Sequence, residues 1–196
     1  MQKPAITKQP IHDLIAKRWS GRAYDASKPV TKEQVVSLLE AARWAPSCFG
    51  DQPWRYVVCH KNENPQAWQA AYECLVPGNQ SWAVNAPVLL LICADTLFSH
   101  NDKPNKWAAY DTGAATENLC LQATALGLMA HQMGGFDADK ARATFKVPER
   151  YQILAMVTVG YQAAVDSLSG EVKERELAER SRKALGELFF YGEWQG

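Results

Sequence analysis

The sequence predicts a fold of the α+β or α/β class, because short aliphatic runs alternate with segments of helical period and leave little room for an all-β arrangement. The strand candidates are Trp54–His60, residues 87–94 and residues 153–160, each short, aliphatic and bounded by turn residues. The first helix is signalled by Thr31 and Gln34, a capping box, with Val35, Leu38, Leu39 and Ala42 falling on one face. It should stop before Pro46, since the residue preceding a proline disfavours α geometry. A second helix starts at Asn64-Pro65, cap then first-turn proline, and aligns Trp68, Ala71, Tyr72 and Leu75. Asp137 caps a third, short helix that ends before Pro148.

The chain has 196 residues, 47% of them hydrophobic, which suits one domain spanning residues 1–196 with a substantial core. Lys and Arg number 21 against 21 Asp and Glu, so nothing in the totals suggests a nucleic-acid or acidic-membrane partner, and any phosphate recognition must be local. The N-terminal stretch lacks the basic and apolar regions of a signal peptide. The longest apolar run, residues 88–94, is far short of the roughly 20 residues that span a bilayer. Five cysteines with irregular spacing and no CxxC argue against a disulfide framework or zinc site and for a reducing, cytoplasmic home. The four histidines have no paired spacing, so no metal site is expected.

Residues 107–128 are rich in Ala, Leu and Gly almost all round and read as a buried central helix. Its Asp111, Thr112, Glu117, Asn118 and Gln122 either link neighbouring elements or face a subunit interface or cofactor. Residues 171–182 are highly charged and read as a solvated helix or arm. The aromatic tail that follows, including Phe189, Phe190, Tyr191 and Trp194, must dock on its own body or on a second subunit.

Several segments have chemical potential. In Arg18-Trp19-Ser20-Gly21-Arg22, alternate residues of an extended chain point the same way, so Arg18, Ser20 and Arg22 can converge on a small anion. Arg180-Ser181-Arg182-Lys183 repeats the theme; either cluster can equally be surface charge. No GxGxxG, GxxxxGK[ST] or GxSxG pattern occurs, and no cysteine has a credible histidine partner, so nucleophilic catalysis is unsupported. Between helix and strand, Pro46, Ser47, Cys48, Phe49 and Gly50 form a loop able to wrap a planar polar ligand, or an ordinary connection. Gln132, Met133, Gly134 and Gly135 read as a second such loop, and residues 79–82 as a third.

Taken in order, RWSGRAYD, ARWAPS, QPWRYVV, NQSW, NAPVLLL, DTGAATENLCLQATALGL, GGFD and ERSRKAL resemble the nitroreductase-like flavoproteins over nearly the whole chain. The resemblance implies an α+β fold with a mixed, mainly antiparallel sheet surrounded by helices. It also implies a long central helix at a homodimer interface and a C-terminal segment that extends onto the partner. FMN is the implied cofactor, with two sites per dimer. Arg18 and Ser20, with Trp19 between them, would hold its phosphate, joined by Arg182 and Arg180, and Arg22 would lie toward the flavin's pyrimidine edge. Pro46, Ser47, Cys48 and Gly50 would come from the other subunit; Asn79 would hydrogen-bond the flavin. Gln132, Met133, Gly134 and Gly135 would wall the reactive ring.

Three departures stand out: Gly50 where many relatives have Asn, Gly134 where some have Glu, and Cys48 in place of a common Ser, a potential oxidation site. The implied activity is hydride transfer from NAD(P)H to the flavin and onward reduction of a nitroaromatic or quinone-like acceptor, ping-pong, without an obligatory catalytic side chain. The same resemblance admits a specialised reaction (ene-reduction, dehalogenation, flavin degradation) or a nonenzymatic flavin carrier.

Overall fold

A computed structural model describes residues 2–195. Four strands form one sheet in the order β1-β2-β4-β3: β1 is Trp54–His60, β2 Val88–Asp95, β3 Met129–Met133 and β4 Tyr151–Gly160. All three pairings are antiparallel, in line with the mainly antiparallel sheet expected. β2 is central and buried along its whole length, which is why its sequence is continuously apolar rather than alternating. A register shift between Ile92 and Cys93 accommodates one extra residue of β4.

Helices cover both faces. α1 is Asp13–Lys17, α2 Lys32–Arg43, α3 Pro65–Tyr72, α4 Pro77–Ala83, α5 Ala108–Ala125, α6 Ala138–Phe145 and α7 Gly170–Leu177. One core packs α2 and α5 against Leu90, Ile92, Val157 and Val159; the other packs Trp68, Trp82 and Ala141 of α3, α4 and α6 against Leu89, Leu91 and Met156. The expected caps are present: Thr31 with Gln34 on α2, Asn64 on α3 and Asp137 on α6. Among the described residues no helix is long and apolar enough to cross a membrane.

α5 departs from the fully buried helix expected. Asp111, Thr112, Ala115, Leu119 and Ala123 face inward, whereas Ala109, Tyr110 and Gly113 lie exposed on the opposite face. Its polar residues link elements: Asn118 donates to Ala41 O at 3.2 Å, Gln122 to Ser37 Oγ at 3.0 Å, and Asp111 accepts from Cys48 N at 2.9 Å. The aromatic tail does not bury itself on its own chain, with Tyr191 89% and Trp194 82% exposed.

Candidate functional site

α1 ends at Lys17 and the chain runs on extended through residues 18–24, a strap across the end of the sheet. Tyr24 anchors it: the ring is buried and its hydroxyl lies 2.7 Å from Thr158 Oγ1. Gly21 is needed for close approach, since a Cβ there would sit 2.3 Å from Met129 Sδ and 3.0 Å from Glu176 Oε1. Glu176, fully buried on α7, accepts the Arg22 N–H on both oxygens, at 3.0 and 2.9 Å, and the Ala23 N–H at 3.3 Å. The strap pairs with no strand at these positions, so its buried donors need a side-chain acceptor. Residues 171–182 thus hold the solvated helix expected, α7, with the addition that its one buried side chain, Glu176, pins it to the strap.

Pinned in this way, α7 carries the C-terminal cluster to the strap. Arg18, Trp19, Ser20, Arg22, Arg180 and Arg182 line a single cavity of about 330 Å3, joined by Arg175 of α7. The two arginine clusters are thus one site. Their guanidinium groups are not equally free. Arg18 Nε pairs with Glu117 of α5 at 3.0 Å. Arg180 Nη1 donates to Lys3 O at 2.6 Å and Ala16 O at 3.0 Å, so part of this group ties the N-terminal segment down. Burial first, then Arg18 and Arg182, lower the Arg180 pKa. Arg182 is exposed.

A second lobe of about 360 Å3 shares Arg22 and Arg175 with the first and is walled by Asn79, His131, Gln132, Met133, Gly134 and Gly135. Two expectations about loops are corrected. Asn79 lies in α4, started by Pro77, and Gln132 and Met133 belong to β3, so the loop proper begins at Gly134. β3 escaped notice because its five residues, MAHQM, include two polar side chains, one of which faces outward. Asn79 Nδ2 donates to Gly135 O at 2.9 Å, and a Cβ on Gly135 would come within 2.7 Å of that nitrogen. Gly135 is therefore required by packing against α4, whereas a Cβ on Gly134 would meet nothing within 4 Å.

Residues that sequence reasoning passed over are His131, Glu176 and Arg175. His131 is 9% exposed, stacks on Trp82 with ring centroids 4.7 Å apart, and has Nδ1 2.9 Å from Gly21 O. Burial, with the charges of Arg22 and Arg18, pushes its pKa down to about 4. Glu176 had a faint signal, lying four residues after Val172 on the helical face of α7 that turns inward.

The loop after α2 lies apart. Pro46, Ser47, Cys48 and Gly50 line neither lobe of their own chain's cleft. Cys48–Gly50 is a 3-10 turn with Phe49 and Gly50 at positive φ (56° and 65°), closed by Gln52 N donating to Ser47 Oγ at 3.0 Å. Among the described residues no group of three or more His, Cys, Asp or Glu side chains could hold a metal ion.

The Nitroreductase family model matches residues 15–161, three quarters of the chain, from strap to the end of the sheet. This chain belongs to the nitroreductase family. A solved structure described as an oxidoreductase containing FMN is 35% identical to this family member, with a TM-score of 0.91 over 97% of this chain and 96% of that one. A nitroreductase family protein from Clostridium difficile is 25% identical, with a TM-score of 0.70 over 92% of this chain and 97% of that one. The oxygen-insensitive NAD(P)H nitroreductase of Salmonella typhimurium is 24% identical over 205 aligned residues, covering 84% of this nitroreductase-family chain and 94% of the relative.

Proposed function

We propose that this nitroreductase-family protein is an FMN-dependent NAD(P)H oxidoreductase, acting as a homodimer on a small nitroaromatic, quinone-like or related acceptor. The observation that carries the reading is the two-lobed cleft. One lobe gathers Arg18, Ser20, Arg22, Arg180 and Arg182 from opposite ends of the chain, and the other opens beside Met133, Gly134 and Gly135. Guanidinium groups with a hydroxyl between them suit a phosphate, because the planar donor fork matches its oxygens two at a time. The adjoining lobe supplies main chain at Gly134 unobstructed by a Cβ, and Asn79 braces the loop through Gly135. The FMN content of the 35% identical structure supports the same reading.

When bound, the flavin would supply the redox chemistry between NAD(P)H and the acceptor. The chain's own residues bind and orient. Arg18 and Ser20, flanking Trp19, with Arg180 and Arg182, would hold the phosphate. Arg22, fixed through its backbone by Glu176, sits where both lobes meet and would add positive charge beside a bound flavin. Gln132 and Met133 form the β3 wall. No side chain is assigned a proton-transfer role.

The homodimer reading rests on three surfaces: the exposed Ala109, Tyr110 and Gly113 face of α5, the uncovered aromatic tail, and the loop of Pro46, Ser47, Cys48 and Gly50, which does not reach its own cleft. A second copy would bring that loop to the flavin.

The test is the visible spectrum of the purified protein with FMN, recorded before and after anaerobic addition of NADPH and then of NADH. A flavin band that persists through gel filtration at dimer mass and bleaches with a reduced nicotinamide is the expected result. Protein that takes up no FMN overturns the reading. Retained FMN without bleaching by either nucleotide favours a carrier.

A further inference from the structure

We propose that His131 is a binding residue of this cleft, its Nε2 accepting a hydrogen bond from an N–H or O–H of the bound flavin; this rests on the FMN reading above. Three observations lead there. The Nδ1 atom lies 2.9 Å from Gly21 O. A carbonyl can only accept, so the proton sits on Nδ1 and Nε2 is an acceptor. The ring cannot turn away, because it is stacked on Trp82 at 4.7 Å with an interplanar angle of 27°.

The residue is more than nine-tenths buried, and the surface it retains faces the lobe walled by Gly134 and Gly135. Among the described residues nothing hydrogen-bonds Nε2, whereas Nδ1 and the main-chain oxygen are both engaged. Nε2 is not sealed from solvent, so its lone pair is open to a donor that enters the lobe.

The neighbours sharpen what it accepts from. Arg22 of the strap and Arg175 of α7 border the same lobe, and guanidinium groups can only donate. They serve the ligand's oxygens and anionic groups. A ligand that also carries donors needs neutral acceptors among these cations, and the imidazole, alongside Asn79 Oδ1, supplies one without cancelling their charge. Burial first, then the charges of Arg22 and Arg18, oppose protonation of the ring.

FMN has two kinds of donor, the imide N3–H and the ribityl hydroxyls, and the experiment separates them. FMN, N3-methyl-FMN and a 2′-deoxyribityl FMN are titrated into the wild type and into His131→Phe, which keeps a ring on Trp82. Loss of the hydrogen bond should weaken FMN binding about five- to tenfold. The analogue lacking the engaged donor should bind the wild type correspondingly worse than FMN, yet bind His131→Phe no worse than FMN does. The imide and the ribityl chain are told apart by which analogue behaves this way.

A second readout needs no variant. In protein labelled with 15N-histidine, the His131 Nε2 resonance should shift upfield on FMN addition, as a newly hydrogen-bonded acceptor does. If FMN binds but that resonance stays in place, and both analogues carry equal penalties in both proteins, His131 is not a ligand-binding residue. If the wild type takes up no FMN at all, this assignment falls together with the FMN reading.

Discussion

Replacing Glu176 with alanine should unhook α7 from the strap and loosen the whole cationic lobe. The carboxylate has no exposed surface and accepts from Arg22 N at 3.0 and 2.9 Å and from Ala23 N at 3.3 Å, with the Arg22 guanidinium 3.9 Å away. Hydrogen bonds to a charged group contribute about 1.5–3 kcal/mol each, and two main-chain donors would be stranded. The guanidinium contact adds little, since Arg22 keeps a quarter of its side chain in solvent (26%). Removing one partner of a buried charged network costs about 3–5 kcal/mol, in agreement with that sum. For a chain of this length each kcal/mol lowers Tm by about 2–4 °C, so a fall of roughly 10 °C is expected. Scans should be run at one protein concentration without added FMN, because ligand binding and association both shift Tm by mass action. Glu176→Gln keeps one acceptor oxygen and should lose about half as much. A Glu176→Ala protein that melts within 2 °C of the wild type would refute the view that this carboxylate anchors the strap.

Four further outcomes are expected. His131 has its pKa held at about 4 by burial, against the ordinary 6.5. Between those values the unfolded chain takes up a proton that the folded one refuses, so stability should fall as pH drops from about 6.5 to about 4, by up to roughly 3 kcal/mol. Denaturant titrations across that range should show this slope in the wild type and a flatter one in His131→Phe. Gly135→Ala, whose Cβ would lie 2.7 Å from Asn79 Nδ2 and 3.0 Å from Val76 Cγ2, should lose about 1–3 kcal/mol, while Gly134→Ala should fold normally; parallel thermal melts compare them. Arg180→Ala frees the carbonyls of Lys3 and Ala16, and should both raise the dissociation constant for FMN and speed proteolysis near the N-terminus, read by fluorescence titration and limited digestion. Ser47→Ala and Cys48→Ala should keep most NADPH-dependent turnover, since neither is assigned a proton-transfer role; a loss of several orders of magnitude with FMN still bound would contradict this.

Local signals were legible wherever a few neighbouring residues settle the matter. Thr31 with Gln34, Asn64 before Pro65, and Asp137 each cap the helix that the sequence assigned to them, because capping is a contact within one turn. β1, β2 and β4 could be read from short aliphatic runs, and the order of weak motifs along the chain was enough to suggest the family. β3 was missed because MAHQM has polar side chains on both faces and only five residues over which to alternate. The sequence alone also suggested that Arg18, Ser20 and Arg22 could share one side of an extended strap, since alternation is a local rule.

Tertiary structure decided what joins them. The arginine pairs lie about 160 residues apart, and no local rule relates them. They meet because one carboxylate, Glu176, is the acceptor for main-chain donors the strap cannot pair for itself. His131 was invisible for the same reason. Its tautomer is set by Gly21 O and its stacking by Trp82, partners 110 and 49 positions away along the chain, so its chemistry exists only once the sheet has brought them together.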